Sequence, residues 1–463
     1  MTTSPPVEAA GRRLEKLLEG SNHGGKTVKR WLSTSSGASK DATLPDLSSA
    51  ATALLDPEVF PGRKWLMDLS PPSDMDTTEG GDTNYLKKAG REVESWLLSV
   101  AVRLLWREKR YDEAFKLAQS SIDLMTAFLE ETTSGLSVHP LLARMYRFES
   151  LVAESSPSLN TESLRPKLVH AHRLACLRRD VDTQATLLNL LLRDLLNGSQ
   201  VEQAQKLLSN STFPEAASNN QLCRYLYNSG RIQALRLEYT SAFGNLSQCL
   251  RKAPTNTGLG FRIAAQRLLV VVQLLMGEIP ERSIFFTKGM VAELAPYLTI
   301  TQAVRRGDLA VFGERVAEYA TRFQEDGTYT LISRLQHSVV KAGLRKLHLS
   351  YSRISLQDIA TRLGLPSATS AEFVVAKAVR DGVVDATIHH KEQYVQSHDL
   401  VDVYATTEPA EAFHLRIDYC LSTHTNAMKS MRYPPDAYKK QLEASRGKGE
   451  EVEIDEDDLE SDY

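Results

Sequence analysis

The chain has 463 residues, 42% hydrophobic and 24% charged, with a formal net charge of −3. That is the composition of an ordinary globular protein long enough for two or three domains, each with a real core. Nine acidic residues and no basic one fall between Glu450 and Tyr463, which leaves 55 basic side chains against 49 acidic in the remainder, a body too weakly basic to argue for nucleic acid by charge alone.

The longest apolar run, Leu268 to Met276, is interrupted by Gln273 and spans about half of what a membrane crossing needs. Pro5, Pro6 and Glu8 stand where a secretory leader would carry basic and then apolar residues. Cys176, Cys223, Cys249 and Cys420 lie far apart with no metal-ligand spacing, the usage of reduced core thiols. The expected location is intracellular, in a reducing compartment.

Residues 1–84 are punctuated by Gly24-Gly25, Ser33 to Ser39, Pro71-Pro72 and Gly80-Gly81. They read as largely disordered, with one or two short helices such as Gly11 to Glu19. From Tyr85 the pattern changes to apolar residues three and four apart, broken by short polar turns. Val93, Trp96, Leu97, Val100, Leu104 and Leu105 mark one helix, Arg107 to Arg110 a turn, and Tyr111-Asp-Glu-Ala114-Phe-Lys-Leu117 opens the next. The same opening recurs at Val201-Glu-Gln-Ala204-Gln-Lys-Leu207 and Tyr239-Thr-Ser-Ala242-Phe-Gly-Asn-Leu246, each after a longer apolar helix (Thr183 to Leu196, Asn219 to Leu237).

A small residue there lets two helices of a hairpin approach closely, while the large ones fill the groove of the next hairpin. One hairpin cannot cover its own apolar face, so several must stack. The expectation over 85–325 is a mainly α, tetratricopeptide-like (TPR-like) solenoid; a plain helical bundle is the alternative.

Gln324-Glu-Asp-Gly327 ends that series. A helix from Tyr329 to His348 follows. Ser355-Leu-Gln-Asp358 then opens a short helix ending at Gly364, and Thr369-Ser-Ala-Glu372 opens another over Phe373 to Arg380. Val384, Ala386 and Ile388 alternate with polar residues, and a turn over His390 to Gln393 leads into Tyr394-Val395-Gln396. Three helices and a hairpin in this order make a winged helix over 326–404. Beyond it, over 405–433, Pro409 and Glu411 suit a first helical turn, and Phe413, Ile417, Cys420, Leu421, Met428 and Met431 form one stripe that Pro434-Pro435 closes. The winged helix is complete without this helix, so its stripe needs cover from elsewhere. The remainder, 434–463, is expected to be a disordered acidic tail.

Catalytic patterns are scarce. His170-Ala-His172 has the spacing of a zinc-dependent isopeptidase pair, but residues two apart on a helix face different ways, and the nearest acids, Asp180 and Asp182, lie on an arginine-flanked turn. His389-His390 fits a solvated strand end. Gly258-Leu-Gly260 lacks both a preceding strand and a third glycine. No enzyme, metal or cofactor is expected. The third winged-helix helix sets Lys377 and Arg380 against Glu372 and Asp381, too neutral for phosphate contact. Arg334, Lys341 and Arg345 form a basic stripe on the helix before it, which suits solvent or an acidic partner.

Helical hairpins leading into a winged helix and a terminal helix are the plan of the PCI family. Gly277-Glu-Ile-Pro280, Leu298-Thr-Ile-Thr-Gln-Ala-Val-Arg305, Asp326-Gly-Thr-Tyr-Thr-Leu-Ile332, Leu349-Ser-Tyr-Ser-Arg-Ile-Ser355 and Met431-Arg-Tyr-Pro-Pro435 resemble the PCI subunits of the proteasome regulatory particle lid, from about Tyr225 to Tyr438. That resemblance implies a non-catalytic scaffold in a hetero-oligomer, acting in lid assembly and ubiquitin-dependent degradation. It implies wing-sheet edges, through Val384, Ala386, Ile388, Tyr394 and Val395, that add strands to sister subunits. It also implies a C-terminal helix that joins a bundle through Phe413, Ile417, Leu421, Met428 and Met431. A PCI scaffold of a signalosome or translation initiation complex, and a winged-helix nucleic-acid binder, are the rival readings.

Overall fold

The computed structural model describes residues 6–19, 24–35, 42–69, 86, 90–131, 137–156, 161–254, 258–398, 403–432 and 439–440. Four helices open it: α1 (Pro6–Glu19), α2 (Gly24–Thr34), α3 (Leu44–Leu54) and α4 (Gly62–Leu69). Then come α5 (Gly90–Arg107), α6 (Tyr111–Glu131), α7 (His139–Ser155), α8 (Thr161–Leu177), α9 (Val181–Asn197), α10 (Val201–Asn210), α11 (Asn219–Leu235), α12 (Tyr239–Lys252) and α13 (Leu259–Met276). The series continues with α14 (Arg282–Phe285), α15 (Val291–Arg306), α16 (Leu309–Glu318), α17 (Ala320–Glu325) and α18 (Tyr329–Ser350). After β1 (Arg353–Ser355) follow α19 (Leu356–Leu363), α20 (Ala368–Arg380), β2 (Ala386–His389), β3 (Tyr394–Ser397), a single 3-10 turn (Val403–Ala405) and α21 (Glu408–Arg432).

The chain divides into two compact units. One takes the described residues through Leu347 together with Leu356–Val383; the other takes His348–Ser355 and the described residues from Val384 onward.

The first unit is the expected helical solenoid. Consecutive helices pair as hairpins, and α5, α7, α9, α11 and α13 lie side by side as one layer. Ala114, Ala204 and Ala242 are each fully buried, as close hairpin packing requires. Gly230 plays the same part: a Cβ there would meet Leu246 at 2.8 Å, so α11 and α12 approach through it. The hairpin turns share one device. Lys109, Arg179, Ser199 and Leu237 all adopt left-handed backbone (φ 64°, 55°, 57° and 73°). The next residue then donates its N–H to the carbonyl five positions back: Arg110 to Leu105, Asp180 to Ala175, Gln200 to Leu195, Glu238 to Gln233. This closes the helix and starts its successor within two residues.

Towards the end of the unit Asp326, in the turn that ends the repeat series, accepts from Tyr297 Oη at 2.9 Å and pairs with Arg267. Arg267 also pairs with Glu293, which accepts from Arg322 at 2.5 Å. α13 has the length and apolarity of a membrane span, yet Ile263, Ala265, Leu268 to Val272 and Leu274 are buried in the core.

Two expectations are corrected here. Residues 1–84 are not largely disordered where described: α1 to α4 pack around Leu14, Trp31, Leu47 and Leu54. Trp31 Nε1 donates to Ala10 O at 3.1 Å, its ring meets Trp96 edge-on at 4.9 Å, and Gly62 N donates to Glu94 Oε1 at 2.7 Å. These long-range contacts hold short helices that local propensity alone would not. Also, α20 begins at Ala368 rather than Phe373, because Ser367, not Thr369, caps it by accepting from Ser370 N at 3.1 Å. The acidic run at 450–463 and Pro434-Pro435 lie outside the described residues.

In the second unit β3 sits between β1 and β2, antiparallel to both, in the order β1-β3-β2. Ile354 and Ile388 both face Val395 across the ladders. The element order from α18 to β3 is that of a winged helix.

Two stability changes follow. Glu149 on α7 is 5% exposed, and burial pushes its carboxyl up to about 7 against opposing effects of Lys167 and Gln119. The unfolded chain therefore ionises first, so this group's penalty is absent below about pH 4.5, grows as pH rises and is complete above about 7. Glu149→Gln is expected to stabilise the protein by about 2–3 kcal/mol at pH 8 and by much less at pH 5, read by denaturant titration at both. Leu237→Gly relieves a left-handed Cβ and is expected to add about 1 kcal/mol in the same assay.

Candidate interaction surfaces

The acids nearest the histidine pair are otherwise engaged. Asp180 caps α9 by accepting from Asp182 N and Thr183 N at 3.1 and 3.2 Å, and Asp182 pairs with Lys29 at 2.7 Å. Neither acid forms a site with His170 and His172. His172 lies instead 3.9 Å from Cys176 Sγ, and burial lowers its pKa. Among the described residues no group of three or more His, Cys, Asp or Glu could hold a metal. Cys223 and Cys249 are buried with free thiols, and Cys249 is pushed up to about 12 by burial and by Cys223. At that value the thiol is inert at neutral pH.

The basic stripe on α18 is partly neutralised. Lys341 bonds Asp381 at 3.0 Å and holds its pKa low, and Arg334 donates weakly to Leu235 O at 3.4 Å. His337 is held below its usual value by burial, Lys377 and Lys341. Arg380 also faces Asp381, at 3.5 Å.

The sheet corrects the expected edge contact. β3 is hydrogen-bonded on both sides, so Tyr394 and Val395 cannot receive an added strand. Val384 precedes β2, and Val384, Ala386 and Val395 are buried; Ile388 is half-buried. The open ladders belong to β1 and β2. Periodicity could not reveal this, because β1 is three residues long and is fixed only by pairing Arg353, Ile354 and Ser355 with Gln396, Val395 and Tyr394. One face of the sheet carries a stack centred on Tyr394: Arg353 lies 3.6 Å from the ring centroid, and His389 stacks on the same ring from β2 at 4.5 Å.

Among the described residues α21 carries seven exposed large apolar side chains. It runs for 25 residues and buries none of them. Phe413, Ile417 and Leu421 are 62%, 56% and 59% exposed, and Met428 and Met431 are exposed as well. At 100° per residue these five fall within one stripe of about 80°. Leu415 and Tyr419, which a search for a single stripe passes over, are equally exposed and project from the opposite side. A helix apolar on two faces suits the interior of a bundle better than the flank of one partner.

Comparison with known proteins agrees with this organisation. Residues 64–301 match the family described as PSMD3-like, N-terminal TPR repeats. Residues 316–399 match the PCI domain, and 402–462 match the family described as the C-terminal part of the proteasome regulatory subunit. The "Probable 26S proteasome non-ATPase regulatory subunit 3" of Anopheles gambiae is 44% identical over 371 residues, 80% of this chain and 73% of the relative. The Dictyostelium discoideum "26S proteasome non-ATPase regulatory subunit 3" is 41% identical over 378 residues, covering 81% and 73%. Arabidopsis thaliana has a "homolog B" of that name, 41% identical over 402 residues, covering 84% and 81%.

Because Ile417 and Leu421 are buried against nothing, replacing both with Ser is expected to leave the stability of the isolated chain unchanged within about 0.5 kcal/mol, as read by thermal unfolding.

Proposed function

As this chain belongs to the family of 26S proteasome non-ATPase regulatory subunit 3, we propose that it is a non-catalytic structural subunit of the proteasome regulatory particle lid, acting in lid assembly and ubiquitin-dependent protein degradation in the cytoplasm and nucleus. The observation that carries this reading is α21, a helix of 25 residues with none of its side chains buried and large apolar groups on two faces. Burying such groups contributes about 1.5–3 kcal/mol each, a driving force that only companion chains can supply. The partners are other PCI subunits. They would meet this chain through a C-terminal helical bundle and through strand addition at the open edges of β1 and β2.

The chemistry of the chain supports the scaffold reading. Asp180 caps a helix, Asp182 is ion-paired, and Cys223 and Cys249 are buried thiols, so none of them is offered to a substrate. The relatives' names favour the lid over the signalosome and translation-initiation alternatives.

Ending the chain after Thr407 removes α21 and nothing that any other described element buries against. The truncated protein is expected to keep its helical signal and melting temperature, and to be recovered in assembled lid at least about tenfold less than the full chain in a tagged pull-down. Normal incorporation would refute the bundle assignment.

A further inference from the structure

A groove of about 910 Å³ runs along α18 in the first unit. α18 lines it with Arg334, His337, Lys341 and Arg345, spaced three and four residues apart on one helix face. Other elements line it with apolar groups: Leu237 from the turn before α12, Leu275 and Met276 from the end of α13, and Leu309 from the start of α16. Glu278 is the one carboxylate among the lining residues, and Lys341 already pairs with Asp381 at 3.0 Å. Among the described residues Arg345 has no hydrogen-bond or ion-pair partner, and Arg334 has only its weak bond to Leu235 O. That leaves two unpaired guanidiniums at the groove.

Leu237 marks the same place independently. It holds left-handed backbone at a turn where glycine would be free of strain, yet its side chain is 60% exposed and lines the groove. Folding gains little from a leucine so placed, and strain kept for an exposed apolar group suits a contact made by something else. The sequence holds a segment of matching chemistry. In the acidic run at 450–463, Glu451, Glu453 and Asp455 alternate with Val452 and Ile454. A period of two is what an extended chain needs to turn acid to one side and apolar groups to the other.

We propose that residues 451–455 of this chain dock in the α18 groove, with their acids on Arg334 and Arg345 and with Val452 and Ile454 among Leu237, Leu275 and Met276. From Arg334 to Arg345 the stripe is about 16 Å long, which takes about five extended residues. Residues 433–449 can span up to about 60 Å, against about 37 Å for α21, so the acidic run can return past the start of its own helix. A tether of that length gives an effective concentration of about 1 mM, so a contact with a Kd of about 100 µM is occupied about nine-tenths of the time. The chain thus covers its own basic stripe. The contact needs no partner subunit and uses neither the apolar faces of α21 nor the sheet edges, so it stands or falls apart from the lid assignment.

The full chain is compared with one ending at residue 449, with a fluorescein-labelled peptide of residues 450–463 as the probe. Fluorescence anisotropy is expected to give the shortened chain a Kd of about 100 µM, and the full chain, whose own tail competes, an apparent Kd about tenfold weaker. Binding to the shortened chain should weaken between about 50 and 200 mM salt, as the Debye length shortens. Arg334→Glu with Arg345→Glu should weaken it at least about tenfold, and a peptide carrying Glu451→Lys, Glu453→Lys and Asp455→Lys should bind that variant in preference to the unsubstituted chain. Both arginines are exposed, and a thermal melt checks that each variant is folded. Arg147→Gln with Arg224→Gln, on α7 and α11, should leave binding unchanged. Absence of binding to the shortened chain, equal binding by the two chains, full binding by the Arg334 and Arg345 variant, or loss in the Arg147 and Arg224 variant would each overturn the proposal. Light scattering that shows the full chain dimerising, and the shortened chain not, would give the tail to a second copy and overturn it as well.

Discussion

A helical hairpin has two flanks and can cover neither by itself. Everything in the first unit follows from that shortage. Each hairpin is covered by the next, so the chain keeps adding pairs, and the joints must be short enough to keep successive pairs in register. Left-handed backbone at Lys109, Arg179, Ser199 and Leu237 supplies this by reversing the chain within two residues while satisfying the last carbonyls of the outgoing helix. The strain costs about 1–2 kcal/mol per residue for a side chain other than glycine. Burial of Trp96, Leu97, Leu187 and their neighbours outweighs it. α21 is where the rule is left unsatisfied: a helix with no next pair to cover it.

The same stacking makes two chemically different surfaces. Small residues concentrate where helices of a pair touch, at Ala114, Ala204, Ala242 and Gly230. The layer of α7, α9 and α11 carries the long polar side chains Arg147, Arg193, Arg224 and Arg231 along one stretch of its surface. Where carboxylates were available they settled structural needs: Asp326 and Glu293 share Arg267 and Arg322, and Asp194 takes Arg165 at 2.7 Å. Among the described residues none was left to face Arg147 or Arg224.

Much of this was legible in the sequence because hairpins are local. The openings at Tyr111, Val201 and Tyr239 coincide with the first residues of α6, α10 and α12, and the alternating residues before the wing turn become β2. What was missed is nonlocal. α2 begins at Gly24-Gly25, which reads as a break and is helical only because Val28 and Trp31 are buried against other helices. β1 has too few residues to show a period. Arg147, Arg193 and Arg224, on α7, α9 and α11, are separated by 46 and 31 positions, so no window of sequence brings them together. The second apolar face of α21, at Leu415 and Tyr419, was hidden by looking for one stripe.

The two unsatisfied surfaces differ in how they answer the solvent, and that difference separates their roles. α21 offers apolar area, whose burial is little affected by moderate salt and contributes on the order of 10 kcal/mol before the cost of ordering two partners. The arginines lining the α7, α9 and α11 layer offer charge, whose attraction fades as ions screen it. The two kinds of surface lie on different elements, so loss of one does not unfold the other. The solenoid buries its own core independently of α21, and α21 in turn contributes nothing to that core, so each surface is free to be satisfied by a partner without penalty to the fold.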